Sequence, residues 1–114
     1  MLESNSPFFS LPFVTKRKMP TGRGYDFWDP ERVPDTEARE QGRRYALAYL
    51  QFEAMGLRSG WGAILGLILE DMLDKGDKGQ VAKGFIYTIA QTLAYSAQNP
   101  AFLDEVRIRM GELD

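Results

Sequence analysis

The sequence predicts a mostly α-helical fold: a small four-helix bundle with an extended N-terminal arm that is rich in proline and aromatic residues. Apolar residues recur at helical spacing after residue 35, and helix start and stop signals divide this region into four segments. Five of the six prolines lie in residues 1–34, where they disfavour helix. We therefore divide the chain into an arm, residues 1–34, packed on the body, and a helical domain, residues 35–114.

The arm contains a candidate β-hairpin. Residues 11–16 and 23–28 can pair as antiparallel strands across a turn-forming cluster at residues 19–22. Pro12 restricts the first strand to an edge position, because proline has no amide hydrogen to donate. An extended arm that crosses the helices without forming a sheet is the other interpretation.

The most distinctive local sequence is Tyr-Asp-Phe-Trp-Asp-Pro at residues 25–30. Tyrosine and tryptophan are common anchors of protein interfaces, so Tyr25, Phe27 and Trp28 are candidate partner-binding residues. A small domain also needs large side chains to close its core, and the same rings can cover the open end of the helical bundle. The sequence leaves both interpretations open.

A basic cluster gives the arm a charge opposite to that of the body. Residues 1–24 carry a net charge of +3 and residues 25–114 a net charge of −5, for a total of −2. This split suggests a basic arm on an acidic body. A nucleic-acid-binding protein is therefore an alternative function, and a loop that simply docks on the acidic body is the plainer interpretation. The candidate phosphate contacts are Lys16, Arg17, Lys18 and Arg23.

Helix one is predicted to begin with Asp35 or Thr36 as its N-cap and to run to Met55, just before Gly56. The face of this helix that points away from the predicted core is charged, and it includes the arginine pair at positions 43 and 44. These arginines are candidate partner contacts, although charged residues on a solvated helix face also explain them. The predicted core face of this helix consists of Ala38, Gly42, Tyr45, Ala46, Tyr49, Leu50 and Phe52, and the two candidate contacts are Arg43 and Arg44.

Helix two is predicted from a run without polar side chains, residues 61–69, between an N-cap at Ser59 and a terminating Gly76. A helix that is apolar all round needs cover on every side, so we expect it to be the central helix. Gly62 and Gly66 lie one turn apart and are expected to admit a neighbouring helix backbone. The run is far shorter than the roughly 18 residues of a membrane span, so we expect no membrane association.

The acidic end of helix two suggests a third function. Glu70 and Asp74 share a helix face, Asp71 lies between them, and carboxylates at a helix C-terminus oppose the macrodipole. A metal-dependent enzyme that uses these three oxygen-bearing side chains is therefore a second alternative. The sequence has no Gly-Lys-Thr/Ser phosphate-binding loop to accompany such a site, and we predict no metal ligands and no cofactor.

Helix three is predicted over residues 78–97, with Asp77 and Gln80 forming a capping box. Its other face is polar but uncharged, and depletion of charge marks the cores of interfaces. We therefore expect helix three to contact a protein partner or a second copy of the chain, with Gln91 as a candidate partner-binding residue. The predicted core face consists of Val81, Phe85, Ile89, Leu93 and Ala97.

Helix four has a strong start signal. Asn99 is the expected N-cap and Pro100 the first helical residue. We expect the helix to run to Met110, with Phe102 and Val106 on its apolar stripe.

Composition excludes several chemistries. The chain has neither cysteine nor histidine, so it lacks disulfides, zinc–thiolate sites, cysteine nucleophiles and the usual general base. We therefore expect a non-catalytic protein-interaction module, a small regulator or inhibitor that binds a protein or nucleoprotein partner. A chain without cysteine suits the reducing cytoplasm, and its first residues do not resemble a signal peptide, so we expect cytoplasmic localisation.

Overall fold

The computed structural model describes residues 11–16, 24–55 and 63–113. These residues form a mostly helical fold with a short hairpin, in agreement with the predicted fold class. The elements in chain order are β1 (Thr15–Lys16), β2 (Tyr25–Asp26), α1 (Asp35–Ala54), α2 (Ala63–Asp74), α3 (Gln80–Ala97) and α4 (Pro100–Leu113).

The arm forms the hairpin, with shorter strands than predicted. β1 and β2 are antiparallel, with Thr15 opposite Asp26. Beyond the ladder, the Asp29 amide donates to the Phe13 carbonyl at 2.8 Å, and the Thr15 hydroxyl donates to Asp29 Oδ2 at 2.8 Å. These bonds extend the pairing past the two strands. The predicted turn at residues 19–22 lies outside the described residues.

Aromatic side chains of the hairpin are part of the same core as the helices. Phe13 and Trp28 are both 0% exposed. The ring centroid of Phe13 lies 5.0 Å from that of Tyr45 on α1, and the ring centroid of Trp28 lies 5.2 Å from that of Phe85 on α3. Tilted contacts at this distance are typical of stabilising aromatic pairs. The hairpin therefore covers the α1–α3 pair.

Two glycines allow α1 and α3 to pack with their backbones in contact. A Cβ atom added to Gly42 would lie 2.6 Å from the Phe85 amide nitrogen and would also overlap the Val81 carbonyl. A Cβ atom added to Gly84 would lie 3.1 Å from the Arg39 carbonyl carbon. Glycine admits such an approach because it has no Cβ. Among the described elements, α1 and α3 form the most extensive helix pair.

The prediction that α2 is central and covered on every side is wrong. Gly66 is exposed, and a Cβ built on it would meet no heavy atom of the described residues within 4 Å apart from its chain neighbours and the backbone of its own helix. Leu73 is 79% exposed. The helix packs from one side, and the glycine contact that brings two helix backbones together lies between α1 and α3 instead. Ser59, Trp61 and Gly62 lie outside the described residues. The buried apolar side chains of α2 are Ile64, Ile68 and Met72.

The end of α2 is the one predicted. Gly76 has a positive φ of 64°, its amide donates to the Leu73 carbonyl at 2.9 Å, and the Asp77 amide donates to the Met72 carbonyl at 3.2 Å. This pair of bonds is the Schellman motif, which satisfies the last carbonyls of a helix and favours glycine. The motif turns the chain and places Asp77 at the start of the loop to α3.

The starts of α1 and α3 differ from their predictions. α1 begins at Asp35 with Pro34 in the N-cap position, where the extended φ of −58° and ψ of 151° suit proline. Gly79 is the N-cap of α3, so the predicted capping box does not form. Asp77 Oδ1 accepts the Gly79 amide at 2.9 Å, and Gln80 Oε1 accepts Arg39 Nε at 3.0 Å. Both predicted capping side chains are thus engaged elsewhere.

The predicted core face of α1 and the predicted start of α4 are confirmed. Except for the half-buried Leu50, every residue assigned to the α1 core face is buried. Asn99 Oδ1 accepts the Ala101 amide at 3.0 Å, and Pro100 is the first residue of α4. α1 ends at Ala54, and Gly56 lies outside the described residues. α4 continues past Met110 to Leu113.

Candidate functional site

The end of α2 holds the aromatic segment of residues 25–30 in place. Asp71, which is 1% exposed, accepts the Phe27 amide through Oδ2 at 2.9 Å. A buried carboxylate is costly unless it is hydrogen-bonded, and a backbone amide is a suitable donor. Asp71 therefore acts as a positioning group for the hairpin.

Lys75 adds a second contact between α2 and this segment. Its Nζ lies 2.5 Å from Asp26 Oδ2 and also donates to the Trp28 carbonyl. Asp26 in turn accepts the Trp28 amide through Oδ1 at 3.1 Å. One ammonium group therefore joins a carboxylate and a backbone carbonyl that are two residues apart.

The burial of this segment agrees with the core-covering interpretation of its rings. Phe27 is 3% exposed and Trp28 is 0% exposed, whereas Tyr25 is half-buried with its ring centroid 6.0 Å from that of Phe27. The Trp28 indole donates through Nε1 to Asp77 Oδ2 at 2.7 Å. Of these three rings, Tyr25 is therefore the one that is partly accessible to a partner. Partner binding by Tyr25, Phe27 or Trp28 stays a prediction.

The acidic end of α2 is not gathered into a metal site. Asp71 faces the core, whereas Glu70 and Asp74 are exposed. Within residues 11–16, 24–55 and 63–113, no group of three carboxylate, histidine or cysteine side chains is arranged to hold a metal ion. Asp71 therefore points away from Glu70 and Asp74, and the three side chains proposed for the metal-dependent alternative do not converge.

The remaining predicted contact residues lie on the surface. Arg43 and Arg44 are 61% and 69% exposed, and both pair with Glu40, at 3.5 Å and 3.9 Å. Gln91 is exposed on α3, and Lys16 is exposed on β1. Apart from the adjacent arginines, these four residues do not form a common cluster. The other basic residues of the arm, Arg17, Lys18 and Arg23, lie outside the described residues, so nucleic-acid binding stays a prediction.

One buried hydroxyl has an altered acidity. The Tyr49 hydroxyl donates to Glu53 Oε2 at 2.8 Å. Burial, this hydrogen bond and the negative charge of Glu53 together raise the pKa of Tyr49 above its ordinary value of 10.0. A phenol with a raised pKa is a poor proton donor at neutral pH, so we assign Tyr49 a structural role.

Among the described residues, α3 carries more exposed large hydrophobic side chains than any other helix. We define the outer face of α3 as five exposed residues that span about 100° of the helix circumference at 3.6 residues per turn. Leu93 is 56% exposed and Ile86 is 41% exposed. An apolar surface of this kind indicates a binding site more often than single exposed residues do. The outer face of α3 consists of Ile86, Ala90, Leu93, Ala94 and Ala97.

This surface corrects the predicted orientation of α3. Leu93 and Ala97 were assigned to the core, but both are exposed, whereas the polar residues Thr88, Thr92 and Ser96 are half-buried. The cause is the glycine contact. Since Gly84 must face α1, the helix is rotated so that the stripe through Leu93 turns outward and the threonine stripe turns inward.

The C-terminal end of α3 and the start of α4 form a shallow cleft next to exposed aromatic surface. Its volume is about 360 Å³, and Tyr95, which is 78% exposed, and Phe102 both line it. On α4, Leu103 and Met110 are 42% and 57% exposed. Arg107 pairs with Asp104 at 3.0 Å on the solvent side. The apolar exposure of α3 is therefore accompanied by exposed apolar residues on α4.

Comparison with known proteins identifies no relative of this chain. No protein-family model, curated protein or solved structure matches the chain. The physical properties of the surface are therefore the basis for assigning it a function.

None of the helices in the described ranges is long and apolar enough to cross a membrane.

The outer face of α3 was not predicted from the sequence, although a signal for it was present. Ile86, Ala90, Leu93 and Ala97 lie at i, i+4, i+7 and i+11, the spacing of a single helix face. A second stripe through Val81, Phe85 and Ile89 has equally good helical spacing. Only the position of Gly84 against α1 shows which of the two stripes is buried.

Proposed function

We propose that the protein is a non-catalytic protein-interaction module, a small regulator or inhibitor, that binds its partner through the outer face of α3. The observation that carries this proposal is an exposed apolar stripe on a helix that has no charged residue from Gly84 to Ala97. Solvated helix faces normally carry charge, and interface cores are depleted of it.

The composition of the stripe also supports protein recognition. Two large residues, Ile86 and Leu93, alternate with alanines, which leave shallow holes between them. Packing of large side chains into such holes is how helices recognise one another. The aromatic surface of Tyr87 and Tyr95, which are 54% and 78% exposed, lies on the same helix and adds residues of the type that anchors interfaces.

The test is affinity capture from cells that express the chain, with quantitative mass spectrometry of the captured proteins. Leu93→Lys and Ile86→Lys place a charge in the outer face, and each should reduce capture of the same proteins by about tenfold or more, as loss of an interface anchor does. Exposed sites tolerate such changes, and circular dichroism should show unchanged helicity.

Leu47→Lys is the matched control. Leu47 lies on α1 and is 53% exposed, almost as much as Leu93, so its replacement adds the same charge to a different helix. Capture should be unaffected by this variant. Equal losses from Leu47→Lys and Leu93→Lys, or normal capture by both outer-face variants, would contradict the proposal.

A further inference from the structure

We infer that the partner of the outer face of α3 is a second copy of the chain, with the two α3 helices packed antiparallel about a two-fold axis. This inference rests on the proposed function, because it assumes that the outer face is a binding surface. The axis passes between positions 91 and 92. Three observations support this arrangement: the spacing of four outer-face residues, the order of large and small side chains among them, and the charge of Lys83. The four residues are Ile86, Ala90, Leu93 and Ala97.

The spacing of the stripe is unchanged when its direction is reversed. Ile86, Ala90, Leu93 and Ala97 are separated by four, three and four positions. A two-fold interface brings the same surface of both copies together, so an antiparallel pair needs a pattern that reads the same in both directions. This pattern has that property over its whole length.

The order of large and small residues along α3 makes this face complementary in shape to the same face of a second, antiparallel copy. Reversal about positions 91 and 92 sets Ile86 opposite Ala97 of the second copy, and Ala90 opposite Leu93 of the second copy. Every large side chain thus meets an alanine, as close helix packing requires. A parallel pair in register would instead set Ile86 against Ile86 and Leu93 against Leu93.

The single charge on α3 favours the same orientation. Lys83 is exposed near the start of the helix, where a positive charge opposes the macrodipole. The antiparallel arrangement sets Lys83 opposite the uncharged Pro100 of the second copy and so keeps the two Lys83 ammonium groups apart. The parallel arrangement would place the two Lys83 ammonium groups next to each other.

The size of the surface predicts the strength of the dimer. Five side chains on one helix bury less than the roughly 800 Å² per partner that a stable complex buries. We therefore expect a dissociation constant on the order of micromolar. Such a dimer forms and separates as the concentration of the chain changes.

Sedimentation equilibrium of the wild-type chain tests the inference, from about 0.1 μM to about 100 μM, a range that brackets micromolar dissociation. A reversible monomer–dimer equilibrium is expected, with Leu47→Lys retaining it. A wild-type chain that stays monomeric throughout overturns the second-copy inference. The proposed function is then decided separately by the capture experiment, since a different protein can still bind the outer face.

A charge-exchange experiment tests the register. Ala90→Lys and Leu93→Glu should each weaken self-association by about tenfold or more, because each places a charge against an apolar residue. Mixed in equal amounts, the two variants should form a heterodimer in which Lys at position 90 meets Glu at position 93. A wild-type dimer whose variants show no recovery on mixing would overturn the antiparallel register.

Discussion

The Trp28 indole nitrogen donates a hydrogen bond to Asp77 Oδ2 at 2.7 Å, between residues 49 positions apart in the sequence. The other carboxylate oxygen of Asp77 accepts the Gly79 amide, and the Asp77 amide itself closes the end of α2 on the Met72 carbonyl. One residue thus joins the hairpin, the end of α2 and the start of α3. It also gives the buried Trp28 ring the partner that its N–H group requires.

Replacement of Asp77 by Ala should destabilise the protein by about 2–3 kcal/mol, because a hydrogen bond to a charged acceptor is lost and the indole N–H is left unsatisfied. Urea denaturation followed by circular dichroism measures the change. Asp74→Ala is the control, since Asp74 is an exposed carboxylate three positions earlier, and its loss should change the free energy of unfolding by less than about 0.5 kcal/mol. Equal effects of the two variants would contradict this role of Asp77.

Replacement of Gly42 or Gly84 by Ala should separate α1 from α3. In both cases the new methyl group meets backbone of the facing helix, which cannot move aside as a flexible side chain can. We expect a loss of at least about 2 kcal/mol of unfolding free energy, at the upper part of the range for overpacking. Thermal denaturation should show a fall in Tm of about 4 °C per kcal/mol for a chain of this size.

Gly66→Ala is the matched control for these variants and should have the opposite sign. Gly66 is an exposed helical glycine with open space around it in the described structure. Alanine at such a site restricts the unfolded chain and favours helix, so we expect a gain of about 0.4–1 kcal/mol. A lower Tm for Gly66→Ala, or an unchanged Tm for Gly42→Ala, would show that the glycines have been assigned wrongly.

The raised pKa of Tyr49 predicts that the protein loses stability at alkaline pH. Above about pH 10 the unfolded chain releases the tyrosine proton, whereas the folded chain retains it. The unfolded state then binds fewer protons, so Tyr49 contributes a fall of about 1.4 kcal/mol per pH unit. Urea denaturation between about pH 9 and pH 11 should therefore show a shallower decline for Tyr49→Phe than for the wild type. Parallel declines for the two proteins would refute the assignment.

The double variant Arg43→Ala, Arg44→Ala should change the free energy of unfolding by less than about 1 kcal/mol, because both guanidinium groups are exposed and their ion-pair partner among the described residues is a solvated Glu40. Chemical denaturation checks this expectation. If stability is retained, any loss of a captured protein by the same variant reports on binding directly. A large loss of stability would instead show that the arginines support the fold.

Local sequence signals located the helices and several of their ends. Asn99 and Pro100 start α4 and Gly76 ends α2, because the conformations of these positions depend on neighbouring residues in the chain. The alternating aromatic segment around Phe27 and the turn-forming residues before it also indicated the hairpin. The capping box at Asp77 was wrong because α3 begins at Gln80 with Gly79 as its N-cap, and the Gln80 side chain accepts Arg39 Nε on the facing helix.

The candidate site was less predictable than the fold. α3 has two stripes with helical spacing, one through Phe85 and one through Leu93, and periodicity alone does not rank them. The apolar run of α2 was similarly assigned to the centre of the bundle, although Leu73 and Gly66 are exposed. In each case the sequence shows which residues can be buried but not which neighbour buries them.

By itself, the sequence determined a four-helix protein with neither cysteine nor histidine chemistry, and it left the N-terminal arm as either a hairpin or an extended segment. Tertiary structure decided which helices form the central pair, which stripe of α3 faces solvent and which carboxylate holds Trp28. The physical reason is that helix formation depends on contacts within a few residues, whereas the rotation of α3 depends on Gly42 and Gly84 meeting across 42 positions of sequence. That one backbone contact turns Ile86 and Leu93 outward and creates the surface to which we assign binding.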